Sequence, residues 1–386
     1  MIRFGVALGC SALALICVAC GSEGDSREPD SAGSFAGQVG AGTSGSVVAS
    51  TAGGGTTGGT AGTDTTSDAG ASGVASNLGE HSIASTGRGS CALDGKGAIH
   101  CWGLSPEPWA MPAGQFVELH ASSDEICAVR IDRTVECFDE PGLAAGGGAA
   151  VLLPSGKVTQ LALQRGAVCG IDGSGTAFCN SSNAIPVPLT VPSGEAFSMF
   201  SVGLYFACGL RVQTGSILCW GYPGDDSCAW ADPVTGQLDA PAGEFGSVSS
   251  GRFSSCAIEK SGKARCWGAG DARDDPNLAC KDVLQNFGQS IPPDGTFRSI
   301  SVGSNHACGV KTDGTVACWG AGTTDEGCED TGENCRQSRP PTGKFDQVSV
   351  GNYHSCAMTA ERKVKCWGYP GGGAGDGRLT PPAEFQ

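Results

Sequence analysis

The feature that most constrains this chain is a pair of cysteines recurring seven times at nearly fixed spacing: Cys91 and Cys101, Cys127 and Cys137, Cys169 and Cys179, Cys208 and Cys219, Cys256 and Cys266, Cys308 and Cys318, Cys356 and Cys366. Six pairs are ten residues apart and one is eleven. Facing residues in a non-hydrogen-bonded pair of an antiparallel ribbon bring their Cα atoms within reach of a disulfide. The spacing leaves an odd-numbered loop, which suits a three-residue turn whose last position is left-handed, where glycine costs least. Thr312, Asp313 and Gly314 fit those places, and Gly97, Gly175, Gly215 and Gly262 recur at the same point. Arg133 and Arg362 stand there in copies two and seven, which predicts turns that are strained or differently built.

Each copy therefore reads as a stapled hairpin preceded by a strand, such as residues 345–350. Units of roughly 35 to 50 residues of strand and turn cannot bury both faces alone, so neighbours must stack. Seven of them over residues 80–386 predict an all-β fold, a seven-bladed β-propeller with a hairpin disulfide in each blade. The final TPPAEFQ is a lead-in with no hairpin after it, whereas the first hairpin follows EHSIASTGRGS with no lead-in before it. Residues 381–386 are thus expected to complete the unit begun at His81 and close the ring.

Trp and then Gly follow the second cysteine in five copies (Trp102, Trp220, Trp267, Trp319, Trp367), with Phe138 and Asn180 in copies two and three. This order of strand, Gly, H-[AS]-C, turn and V-x-C-W-G resembles the repeat of the regulator of chromosome condensation family, in its cysteine-paired form from bacterial secreted proteins and lipoproteins. The resemblance implies a propeller used for protein binding and leaves the partner open. The family's N-x-x-G-Q-L-G run is absent after W-G, and the residues by which the eukaryotic namesake acts on a small GTPase have no counterpart. A role of the guanine-nucleotide exchange type is accordingly the weakest reading.

Residues 1–19 read as a lipoprotein signal peptide, with Arg3 ahead of an apolar run and Cys20 as the lipidation site. The alternative is ordinary cleavage after Ala19 with a free Cys20. Residues 20–79 are a Gly-, Ser-, Thr- and Ala-rich tether without apolar periodicity, expected to be disordered and to span about 40–45 Å. Together these predict an exported protein anchored by its N-terminal lipid, in the outer membrane, periplasmic or surface-facing.

Setting aside Cys10, Cys17 and Cys20 from the 21 cysteines leaves eighteen, an even set that reads as a disulfide framework. Beyond the hairpin pairs, Cys328 and Cys335 are placed to staple one insertion internally, leaving Cys228 to bridge Cys280. The spacing suits hairpins rather than metal ligation, and no metal or cofactor is expected. A net charge of −15 without any basic run argues against nucleic acid.

Long insertions at residues 222–243, 269–295 and 321–343 all leave from the same point of the repeat, so ring symmetry places them on one face over blades four to six. Tyr222 and Trp230 are candidate anchors there, amid an acidic field of Asp225, Asp226, Asp271, Asp274, Asp275, Asp325, Glu326 and Glu329. The competing reading is solvated decoration. TDEGCEDTGEN is oxygen-rich but lacks the order of a calcium loop. His306 and His354, in a slot that varies among copies, read as packing residues, and no catalytic motif is present. The sequence thus predicts a monomeric, non-catalytic module recognising a protein through the loop face. The alternative is an envelope glycan-binding protein or glycan-acting enzyme with an acidic pair over the propeller axis.

Overall fold

A computed structural model describes residues 81–103, 109–140, 152–182, 185–223, 236–270, 287–324, 328, 334–371 and 376–386. All lie within one unit, Ser67–Gln386. The segments read from the sequence as a signal peptide, lipidation site (Cys20) and tether lie outside the described residues.

Seven antiparallel sheets of three strands are present, each in simple sequential order. The inner, middle and outer strands are Ile83–Ser85, Ser90–Leu93 and Ile99–Trp102 in blade 1, and Phe116–Ala121, Glu125–Arg130 and Val135–Asp139 in blade 2. Blade 3 has Val158–Gln164, Ala167–Asp172 and Ala177–Ser181; blade 4 has Phe197–Gly203, Phe206–Arg211 and Ile217–Gly221. Blade 5 has Phe245–Ser250, Ser254–Glu259 and Ala264–Gly268; blade 6 has Phe297–Val302, His306–Lys311 and Val316–Gly320. Blade 7 has Gln347–Val350, His354–Met358 and Val364–Gly368. Inner strands of successive blades touch in cyclic order, and that of blade 7 meets that of blade 1, so the ring is closed.

The predicted pairs face each other in register, and all seven hairpin disulfides form with Cα atoms 4.0 to 4.1 Å apart. In blade 4 the register runs unbroken from Cys208 and Cys219 to Leu210 and Ile217, so the eleventh residue is absorbed by the turn. Cys328 and Cys335 also bond; Cys228 and Cys280 lie outside the described residues.

The turns with arginine are strained rather than differently built, since Arg133 (φ 72°) and Arg362 (φ 62°) hold the same left-handed conformation as Gly314 (φ 86°). Their side chains explain the substitution. Arg133 donates to Val158 O and Thr159 O of blade 3, each at 2.8 Å, and Arg362 donates to Leu93 O of blade 1 at 3.1 Å. Both reach the following blade where its entry is irregular, blade 3 opening on Val158 instead of Phe and blade 1 having no lead-in of its own. In blades 2, 5, 6 and 7 a buried Phe leads into the inner strand and donates its N–H to the preceding turn, as Phe345 does to Gly314 O at 2.8 Å.

The tail closes the ring as expected, though as a 3₁₀ turn, Ala383–Phe385, rather than a strand. Phe385, 1 % exposed, packs with Ile83 and Trp102 of blade 1 and Met358 and Val364 of blade 7. It supplies from the far end of the chain the aromatic ring that the other blades carry at the start of their inner strand.

Candidate binding face

An inner strand has one sheet neighbour, which leaves an edge of unpaired N–H groups facing the axis. Serines from the adjacent blade satisfy it. Ser201 Oγ accepts from Ser250 N–H at 2.7 Å, Ser249 from Val302 at 3.1 Å, Ser301 from Val350 at 3.1 Å and Ser349 from Ser85 at 2.9 Å. Ala84, His120 and Ala162 occupy this position in blades 1 to 3, and the ladder stops there. In its place His120 donates toward Glu118 (3.3 Å), which also receives Arg133. Burial opposes ionisation of Glu118, yet those hydrogen bonds hold its carboxyl at about 2.

The inner strands enclose an axial channel of about 880 Å³, lined chiefly by hydroxyl, amide and small side chains. Its acids face arginines: Asp124 lies 3.4 Å from Arg165, and Asp346 lies 2.7 Å from Arg298. Among the described residues, the channel therefore presents no free acidic pair of the kind a glycan-cleaving site over the axis requires.

The face carrying the insertions is built at the ends of the outer strands. There Tyr222, Ala269, Ala321 and Tyr369 each donate a backbone N–H at 2.9 Å to the connector between inner and middle strands, at Tyr205, Phe253, Asn305 and Tyr353 respectively. The insertion necks and the channel rim are thus one surface. Each insertion is then clasped where it returns. The carbonyls of Gln237, Gln289 and Gln337 accept the indole N–H of Trp267, Trp319 and Trp367 in the next blade at 2.8 to 3.1 Å, and Arg378 O does the same for Trp102. Ser290 and Ser338 hydroxyls donate to Ala269 O and Ala321 O, both at 2.6 Å. Gly270 and Gly322 are required by this closure, because a Cβ on either would lie 2.1 or 2.3 Å from the returning glutamine's Oε1.

These necks have a sequence counterpart that the alignment on W-G passes over. Gly236-Gln237-Leu238 and Gly288-Gln289 recur where the insertions return, separated from their W-G by them. The recurring G-[QR] followed by Pro, at 236, 288 and 377, with Arg336-Gln337 as a variant, was the signal. Where no neck precedes the blade, the tryptophan lacks its acceptor: Trp220 Nε1 is buried without a partner.

Of the candidate recognition residues, Tyr222 is described. It is half-buried at the neck and meets Tyr205 edge-to-face at 6.5 Å. Asp225, Asp226, Trp230, Asp271, Asp274, Asp275, Asp325, Glu326 and Glu329 lie outside the described residues. The sequence reading missed Tyr205, whose φ of 66° is costly for a residue with a bulky side chain. It also missed Arg252, exposed on the rim 4.9 Å over the Phe253 ring, and the second tyrosine pair, Tyr353 with Tyr369 at 6.3 Å. The one cluster of metal-ligand type among the described residues, Glu125 with Cys127 and Cys137, has its sulfurs committed to a disulfide.

Fold and rim together define a disulfide-stapled, seven-bladed propeller that displays clasped loops on one face. Residues 297–325 and 345–373, in blades 6 and 7, match the family profile described as the regulator of chromosome condensation (RCC1) repeat, so these two segments are RCC1-like repeats. Similar solved structures include the Arabidopsis thaliana receptor kinase ACR4 CRINKLY WD40 ectodomain, at 19 % identity and TM-score 0.53 over 78 % of this chain and 98 % of that one. The entire ectodomain of the Physcomitrella patens receptor kinase CR4 aligns at 20 % identity and TM-score 0.53, covering 75 % and 72 %. Human WBSCR16 aligns at 14 % identity and TM-score 0.51, covering 71 % and 85 %. At these identities the likeness is one of fold.

Proposed function

We propose that this RCC1-like propeller is a non-catalytic recognition module, exported and held to the membrane by lipid on Cys20, which binds a protein through the loop face over blades four to six. The observation that carries the reading is the pair of clasped necks at Ala269 and Ala321 beside the strained Tyr205 and its partner Tyr222, all on one rim. Tyr205 packs in part against the core between blades 3 and 4, yet its left-handed backbone is costly for a bulky side chain and suits a residue whose position matters to a ligand. The acidic insertions favour a basic partner surface. The disulfide framework suits an oxidising compartment outside the cytoplasm.

The test is crosslinking and affinity capture on intact cells with the full chain and with a variant whose residues 224–235 and 325–333 are replaced by short Gly-Ser links, with Cys280→Ser and Cys335→Ser to leave no unpaired thiol. The clasps at Gln237 and Gln337 must stay, because removing them would orphan Trp267 and Trp367. Loss of a specific captured protein supports the reading. An unchanged set of captured proteins from the folded variant refutes it.

A further inference from the structure

On the same face, at blades 1 and 2, the rim holds polar atoms that nothing in the fold uses. Glu140 follows the outer strand of blade 2 at the position of Tyr222, Ala269, Ala321 and Tyr369, and its N–H donates to Asp124 O at 2.9 Å just as theirs do to their own connectors. The side chain is enclosed: the residue is 1 % exposed, and apart from the nearby Thr86 hydroxyl its carboxylate oxygens meet no hydrogen-bond donor. Thr86, whose hydroxyl also bears on that carboxyl, is committed to Gly89 O at 3.1 Å.

Two guanidinium groups share the site. Arg88 Nε stands 3.8 Å from Glu140 Oε1, beyond hydrogen-bond reach, and Arg88 Nη2 is buried without a partner. Arg378 is gripped by Asp376 through Nε and Nη2, which leaves Nη1 buried without a partner. Gly103 lets the two backbones approach, since a Cβ there would lie 2.9 Å from Arg88 O and 3.0 Å from Arg378 Cα, and the charges of both arginines act on the Glu140 carboxyl. Buried polar atoms almost always have partners, so a cluster of orphans marks a place that something else fills.

Charge decides what that is. Asp376 cancels Arg378, and Asp124 faces Arg165 at 3.4 Å, so the balance rests on Arg88 and Glu140. Burial, outweighing Arg88 and Thr86, pushes the Glu140 carboxyl up to about 7. Once Glu140 is protonated the site is net positive, with donors on Arg88 Nη2, Arg378 Nη1 and the carboxylic acid and no acceptor for them. That is the complement of a small anion. The Arg88 side chain, 38 % exposed, gives the entrance.

We propose that Arg88, Glu140 and Arg378 form a buried binding site for a small monovalent inorganic anion of the halide class, taken up together with a proton on Glu140. The site is separate from the loops over blades four to six and stands whether or not those loops recognise a protein.

The test compares thermal unfolding of the full chain in sodium chloride and in sodium gluconate at equal ionic strength, at pH 5.5 and 8.5, alongside bromide-soaked crystals at pH 5.5. Chloride should bind roughly 30-fold more weakly at pH 8.5 than at pH 5.5 for a group titrating near 7. Glu140→Gln should bind with no pH dependence, Arg88→Met should lose the chloride response, and anomalous density for bromide should appear between the three side chains. A chloride response equal at both pH values in the wild type overturns the proposal. So does a site without bromide density.

Discussion

His354 of blade 7 and Ser90 of blade 1, 264 residues apart in the chain, meet through Nε2 and Oγ at 2.8 Å in a fully buried contact. The same contact joins His306 to Ser355 one blade earlier, again at 2.8 Å. A histidine two residues before the first cysteine thus reaches the serine one residue before the first cysteine of the next blade. Both histidines serve as inter-blade ties, in keeping with a packing role for this slot.

Those ties should make the fold acid-sensitive in a particular window. Burial holds His306 and His354 neutral down to about 3, against about 6.5 in an unfolded chain. The depressed folded-state values mean that the unfolded chain binds protons first. Their contribution is full above pH 6.5 and drains away as pH falls toward 3, amounting to about 2–3 kcal/mol per histidine at pH 4.5. Urea titrations at pH 7 and 4.5 should show a smaller acid loss in H306Q/H354Q than in the wild type; equal losses would count against the assignment.

Arg362→Gly relieves a left-handed arginine but removes its donation to Leu93 O. Strain of about 1 kcal/mol is outweighed by a charged donor to a partly buried carbonyl, at about 1.5–3 kcal/mol. Net destabilisation of about 1 kcal/mol is expected in chemical denaturation. A gain in stability would show that the side chain contributes nothing at the seam.

Tyr205→Gly releases about 1 kcal/mol of strain but loses the ring's packing against the core and frees the unfolded chain, so stability should change little while capture of the protein partner weakens. Stability and capture measured on the same preparation check this. A folded variant that still captures fully would divorce Tyr205 from recognition.

Phe385→Ala should cost about 3–5 kcal/mol, as for other large aromatic side chains removed from a core. Hydrogen exchange should accelerate first in Ile83–Ser85 and Val364–Gly368, which flank the vacated place. Uniform acceleration over all seven blades would mean that the seam is no weaker than the rest.

Replacing Cys308 and Cys318 together by alanine should cost about 2–3 kcal/mol, the loop-entropy value for a short closed ring. A much smaller loss in denaturant titration would indicate that the reduced hairpin stays formed in the unfolded chain.

Much of this architecture was legible because a disulfide fixes which residues face each other. Ten-residue spacing therefore conveyed strand pairing, turn length and blade number together, and the unmatched lead-in at Phe385 conveyed closure. The ladder of Ser201, Ser249, Ser301 and Ser349 was not legible, since a small polar residue in a strand reads equally well as solvent-facing. Gln237 and Gln289 were hidden because insertions of unequal length moved them away from the W-G by which copies are aligned. Glu140 could not be found at all: it departs from the repeat in a single copy that also lacks W-G, and its significance comes from Arg88 and Arg378, which only ring closure brings near.

The clasp at each insertion neck has an evolutionary consequence. Trp267, Trp319 and Trp367 bond to backbone carbonyls of glutamines that lie outside the variable stretch, so the scaffold does not sense what is spliced between one clasp point and the next. Residues between the clasp points could therefore be replaced or lengthened while the ring keeps its shape, as loops held on a rigid scaffold tolerate change better than the scaffold does.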